Sequence, residues 1–286
     1  MTIDARRSLP PGLRDRVLAA ARAARATGRA LPDLPEIPPQ EAFRRAVDAF
    51  SGLIADLPAD AWRTPVLRDL DVQGLVGHLT GVEDDVQRAL AGDPDVARAD
   101  HVASTQGTAE SQAGRRPDDT RREWRAAADR TLAQVQTADL GAVVEVHGMR
   151  LPLRALLVVR SFELWTHEDD VRRVCGRPAS VPDAAVLRHM TGLAASLLPH
   201  GVARVTDEPP SVDVHLVLTG AGGGTWDVPV GKRVVAAPEV AVVADAVRFC
   251  RLVAARLDVD ELGAHVTGEP FLVSTVLAGA AALALD

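Results

Sequence analysis

Arg160-Ser-Phe-Glu-Leu-Trp-Thr-His-Glu-Asp-Asp-Val-Arg172 sets Glu163 and His167 four residues apart in an otherwise long apolar helical pattern, so both side chains leave one face. Leu156, Val159, Val171 and Val174 fall on that same face at helical spacing. A carboxylate and an imidazole therefore project from an apolar stripe. Burying them unpaired would be costly, and a divalent cation satisfies both at once if at least one further ligand arrives from elsewhere in the chain.

His78, in Gly74-Leu-Val-Gly-His-Leu79, is the candidate for that ligand, because it lies beside the stripe formed by Leu75, Leu79 and Val82. Taken alone, a histidine on an apolar face reads as a core residue satisfied by a neighbouring carbonyl or carboxylate. Beside Glu163 and His167 it reads as the third donor, and two histidines with a glutamate leave a fourth position open on zinc, as in catalytic sites. Asp170 reads first as a helix-surface acid, with orientation of a ligand imidazole as the alternative. His101 reads as an exposed loop histidine, His147 beside Gly148 as a turn residue, and His215 as a strand residue with no partner evident in sequence. Gly220-Ala-Gly-Gly-Gly224 lacks a strand before and a helix after it, so it is a hairpin tip rather than a phosphate loop. The chain has no Gly-x-Ser-x-Gly, His-Glu-x-x-His or Cys-x-x-Cys, which disfavours serine hydrolases, thermolysin-like proteases and zinc ribbons.

The pattern divides the 286 residues into three parts. Residues 1–39 hold an Arg-rich amphipathic helix from Leu13 to Arg25 and a proline-rich linker. Residues 40–205 are helical almost throughout, with helices marked by Phe43, Val47, Phe50 and Ile54, by Val72 to Val86 with Asp71 as N-cap, and by Trp124 to Val135 behind a Thr120/Glu123 capping box. Residues 92–118 show no clear period and read as a long crossing loop. A short strand follows at 143–151, then helices over 153–174, stopped by Gly176 and Pro178, and over 184–198. Past Thr206-Asp-Glu-Pro-Pro-Ser211, residues 206–286 read as a small mixed domain, with a hairpin at 212–230, a strand at 240–243 and helices over 244–257 and 271–285. The fold class is therefore α+β.

Composition narrows the function classes. A net charge of -7 and a basic segment, Arg121 to Arg130, that alternates with acids and alanines argue against a nucleic-acid partner. No apolar run reaches the roughly 18 to 20 residues needed to cross a bilayer, so no membrane partner is expected. The first 30 residues lack an apolar core with a cleavage site, which argues against secretion. Two cysteines, Cys175 and Cys250, make no disulfide framework, and a cytoplasmic protein is expected.

The Gly-His-Leu segment at His78, the Glu-Leu-Trp-Thr-His-Glu-Asp-Asp-Val-Arg segment at 163–172 and the trailing Cys-Gly-Arg-Pro together resemble the mycothiol-dependent maleylpyruvate isomerase family, over roughly residues 40 to 285. The resemblance implies a DinB-like four-helix bundle binding a divalent metal, usually zinc, through His78, Glu163 and His167, followed by a smaller α/β domain. It further implies Arg256 as a catalytic or substrate-binding arginine, since Ala254-Ala-Arg256 followed by Thr267-Gly-Glu269 matches a family Ala-Gly-Arg stretch with Ala255 in place of glycine. The reading from local sequence alone is a helix C-terminal cation. By the same resemblance, mycothiol or a similar thiol is cosubstrate: its thiolate adds to an activated cis alkene, the new single bond rotates, and elimination gives the trans isomer. Transfer of the thiol to a small electrophile uses the same machinery. A small thiol and a small electrophilic or acidic molecule are the expected partners, with the chain a monomer or homodimer. The alternatives are a metal hydrolase with Asp170 as base, and a noncatalytic binding protein that uses the 13–25 helix. The first 40 residues and the 92–118 segment lie outside the assignable pattern.

Overall fold

Phe43, Val47, Phe50 and Ile54 form the buried stripe of helix α1 (Pro39–Ala55), which starts on a proline pair that cannot continue a helix backwards. The computed structural model describes residues 34–231 and 239–284, and the helix expected at 13–25 lies outside them. All described elements fall in the unit Glu36–Asp286, distinct from Met1–Pro35.

After a small hairpin, β1 (Pro65–Leu67) and β2 (Leu70–Asp71), helix α2 (Val72–Leu90) begins where the Asp71 carboxylate accepts from Gly74 N at 2.8 Å, as its sequence predicts. Residues 92–118 depart from the expected loop. They form α3 (Pro94–Arg98) and α4 (His101–Glu110), each started by an aspartate cap, Asp93 and Asp100. The α4 sequence has almost no apolar periodicity, and what holds it is close approach to α2. A Cβ on Gly77 would come within 2.9 Å of Ala109 Cα, and one on Gly81 within 3.1 Å of Thr105 Cβ, so glycine on α2 sets the distance between the two helices.

Helix α5 (Pro117–Val135) also corrects the sequence reading. It starts at Pro117 with no side-chain cap, and Thr120 is buried inside its first turns, donating to Gln112 Oε1 at 2.8 Å. The Thr/Glu spacing there is not a capping box. Trp124, fully buried, meets Phe50 edge-on with ring centroids 4.9 Å apart. A second hairpin, β3 (Val143–Val146) and β4 (Met149–Pro152), turns through His147 and Gly148, both at positive φ, and leads into α6 (Leu153–Val174). Gly176, at φ 64°, ends α6 where expected. Helices α1, α2, α5 and α6 share one apolar core with the second hairpin.

Helix α7 (Ala184–Val205) runs through Pro199 and ends well past Leu198, where the sequence pattern stops. Leu187, Met190, Ala194, Leu198 and Val202 of its inner face cover a four-stranded sheet, and that contact outweighs the local cost of one lost helix hydrogen bond. In the sheet, β5 (Val212–Thr219) pairs antiparallel with β6 (Gly224–Val230) and parallel with β7 (Val240–Asp245), and β7 pairs antiparallel with β8 (His265–Thr267), a strand the sequence does not announce. Helix α8 (Ala246–Val253) is shorter than its apolar pattern, because Ala255 turns the chain at φ 52°. Helix α9 (Pro270–Ala281) packs against α7. The chain is thus α+β, with a helical layer preceding a mixed sheet. Among the described residues no helix is long and apolar enough to cross a membrane.

Candidate metal centre and its cleft

His78 comes from the middle of α2 and Glu163 and His167 from successive turns of α6, and the structure brings all three together. One donor atom from each lies within 4.8 Å of the other two. His78 and His167 are almost completely buried, at 2% and 1% exposure. Their Nε2 atoms and Glu163 Oε1 are buried without a hydrogen-bond partner, and the 3.8 Å between His78 Nε2 and Glu163 Oε1 is too long for one. Three unpartnered donors facing one point are a costly arrangement for a protein core unless something binds them.

Their surroundings fix which atoms face inward. His78 Nδ1 lies 2.7 Å from Thr105 Oγ1, whose own proton goes to the carbonyl of His101 at 2.9 Å. Thr105 therefore accepts, His78 carries its proton on Nδ1, and Nε2 keeps a lone pair. His167 Nδ1 faces Asp170 Oδ2 at 3.3 Å, giving the same tautomer. Glu163 Oε2 is bound by Arg160, which also donates to Glu83 Oε1 at 2.7 Å, so only Oε1 is left over. Burial by itself raises the Glu163 carboxyl, but the Arg160 guanidinium, with the His101 and His78 rings, holds it well below the usual carboxylate range. Burial lowers the His78 imidazole, so that ring is neutral. A carboxylate oxygen and two imidazole nitrogens suit a borderline cation such as zinc.

Asp170 is buried at 1% exposure, which corrects its reading as a surface acid. Arg256 donates to both of its oxygens at 2.8 Å, from Nε and Nη2. Burial alone would raise the Asp170 carboxyl, yet His167 and Arg256 together hold it below the ordinary range. Arg256 is thus held in a bidentate pair behind His167. It gets there because Ala255, standing where the family stretch has glycine, takes up a left-handed backbone conformation at φ 52°.

His101 is not the exposed loop residue that the sequence suggests. It starts α4, its Nε2 lies 3.4 Å from Glu163 Oε1, and its ring meets that of His78 edge-on at 5.0 Å. Its Nδ1 is 3.1 Å from His147 Nδ1, and His147 Nε2 is 2.9 Å from Asp85 Oδ2. His147 does occupy a turn, at φ 49°, with its backbone N–H bonded to Val96 O, and that conformation directs its ring toward Asp85. Arg160 carried a signal, three residues before Glu163 on the same helix face, whereas His101 carried none beyond its residue type. His215 pairs with its cross-strand neighbour Asp227 on the sheet, far from this chemistry in character and exposed. Cys175 and Cys250 are unpaired thiols, and Cys250 is buried in the sheet's core, which pushes its thiol up.

The centre opens into a cleft of about 750 Å³, which includes space open to solvent. Glu163, His167 and His101 form its floor, and Phe162, Leu193, Leu197, Val253 and Leu283 are among its walls.

A family model described as the mycothiol maleylpyruvate isomerase N-terminal domain matches residues 43–172, which bears out the resemblance over the helical part of the chain. Among solved structures, two crystal structures of the mycothiol-dependent maleylpyruvate isomerase, one of them a point mutant, share the fold. TM-scores are 0.55 and 0.54 at 16% and 15% identity, covering 82% of this chain and 97% of each of theirs. Among curated proteins, none matches the chain in sequence.

Proposed function

We propose that this chain is a metal-dependent enzyme that uses a low-molecular-weight thiol of the mycothiol type, either to isomerise an activated cis alkene or to transfer the thiol to an electrophile. The observation that supports it most is the set of three buried donors without a hydrogen-bond partner, His78 Nε2, Glu163 Oε1 and His167 Nε2, two of whose residues, Glu163 and His167, line a cleft. His78, Glu163 and His167 would hold a divalent cation, zinc by their donor set, which would supply the Lewis acidity that favours the thiolate form of a bound thiol near neutrality. The residues around it have separate tasks. Thr105 and Asp170 hold the two imidazoles with their lone pairs inward, Arg160 keeps Glu163 to a single available oxygen, and the apolar walls exclude water. Arg256 acts on this reading through Asp170. The two unpaired cysteines are consistent with a reducing cytoplasm.

A hydrolase with Asp170 as base would need a free carboxylate oxygen beside the open position, and Asp170 has both oxygens occupied by Arg256 and His167. The thiol reading therefore stands ahead of it. Cobalt substitution tests it: adding N-acetylcysteine to the cobalt protein should produce a thiolate-to-cobalt charge-transfer band that His78→Ala lacks. A cobalt protein whose spectrum does not respond to thiol would contradict the reading.

A further inference from the structure

We infer that the electrophile accepted by this cleft is uncharged and largely apolar rather than a carboxylate dianion, an inference that rests on the thiol-dependent reading of the same centre. Among the described residues, no lysine or arginine lines the cleft. Its charged or titratable members are Glu163, His101 and His167, all on the floor, and the walls are Val, Leu, Phe, Met and Ala with a single hydroxyl, that of Thr166. Thr166 spends its proton on the Phe162 carbonyl at 2.9 Å, so it offers no donor to a ligand. Arg256, the guanidinium expected to meet a substrate carboxylate, is instead bound through two nitrogens to buried Asp170 and through a third to the carbonyl of Ala254 at 2.9 Å. It does not line the cleft.

The consequences are electrostatic. With the open position taken by thiol, the cation's charge is offset by Glu163 and the thiolate, so a substrate carboxylate would leave water to lie between apolar walls, and among the described residues lining the cleft there is no guanidinium or ammonium to compensate it. An ester, alkyl or aryl electrophile of the same size loses nothing comparable on entry and gains contact with Phe162, Leu193, Leu197, Val253 and Leu283. The walls therefore select on charge before any chemistry occurs.

The test uses methyl cinnamate and cinnamate, matched in shape and differing by one charge. Each is titrated calorimetrically into the zinc-loaded full chain in the presence of saturating N-acetylcysteine. The ester should bind at least about tenfold more tightly than the acid. Leu197→Arg, which puts a cation at a half-exposed wall position, should narrow or reverse that ratio while leaving zinc content unchanged. Equal or tighter binding of cinnamate to the unaltered chain, or no measurable binding of the ester, overturns the inference. Zinc content and the cobalt–thiol band are read separately. Their loss sinks the thiol-dependent reading, whereas their persistence with a preference for cinnamate sinks only the charge selection.

Discussion

Two histidine–aspartate pairs in this molecule have opposite characters. His215 and Asp227 face each other across the β5–β6 ladder at 2.6 Å, yet their side chains are 39% and 73% exposed. His167 and Asp170 are farther apart, at 3.3 Å, and are each 1% exposed. The shorter pair is the weaker determinant of structure, because water screens it and competes for both partners. The longer one lies in a dry interior, is backed by Arg256, and turns an unpartnered Nε2 toward two other donors. Distance alone does not mark a site. Burial, a fixed tautomer and an unspent donor do.

That contrast can be strained hardest at Arg160. Its guanidinium joins Glu83 and Glu163 inside the protein, with Arg160 and Glu83 at 1% and 0% side-chain exposure. Arg160→Met should cost about 3–5 kcal/mol in chemical denaturation, since it strands a buried carboxylate. Pairing it with Glu83→Gln should recover much of the loss, and a single variant as stable as the original chain would break the account of the interior. Next in size, Asp170→Asn should weaken zinc binding about ten- to hundredfold in competition with a chelator, by releasing His167 from its orientation. Asp227→Asn, its counterpart on the sheet, should leave zinc affinity unchanged. Equal effects of the two would erase the distinction drawn between the pairs.

The smallest effect concerns the turn that delivers Arg256. Ala255 adopts φ 52°, which strains an alanine, whereas glycine adopts it without strain and gives up more chain entropy on folding. Ala255→Gly should raise stability by about 0.5–1 kcal/mol in a thermal melt, with zinc binding unaltered. A destabilised variant would show that the left-handed turn is not the source of strain.

The residues that were legible in sequence are those whose environment is set by their own helix. The face of α6 carrying Glu163 and His167, the face of α2 carrying His78, and the Asp71 cap all follow from spacing within one element. What was not legible depends on how elements meet. The α4 helix has no apolar rhythm, and it is placed by the glycines of α2, which is why His101 and Thr105 arrive at the centre from a stretch that reads as loop. Asp170 read as a surface acid because the guanidinium that buries it lies 86 residues away. Thr120 matched a capping pattern but is claimed by Gln112, a contact between segments. The extension of α7 through Pro199 likewise depends on the sheet beneath it, which local propensity does not register.

The central claim is that His78, Glu163 and His167 jointly hold one cation. Anomalous diffraction at the zinc edge, on crystals of the full chain grown with zinc, tests it most directly. The account predicts a single strong peak about 2.0–2.2 Å from His78 Nε2, Glu163 Oε1 and His167 Nε2. Well-ordered side chains at these three positions with no peak between them would contradict it.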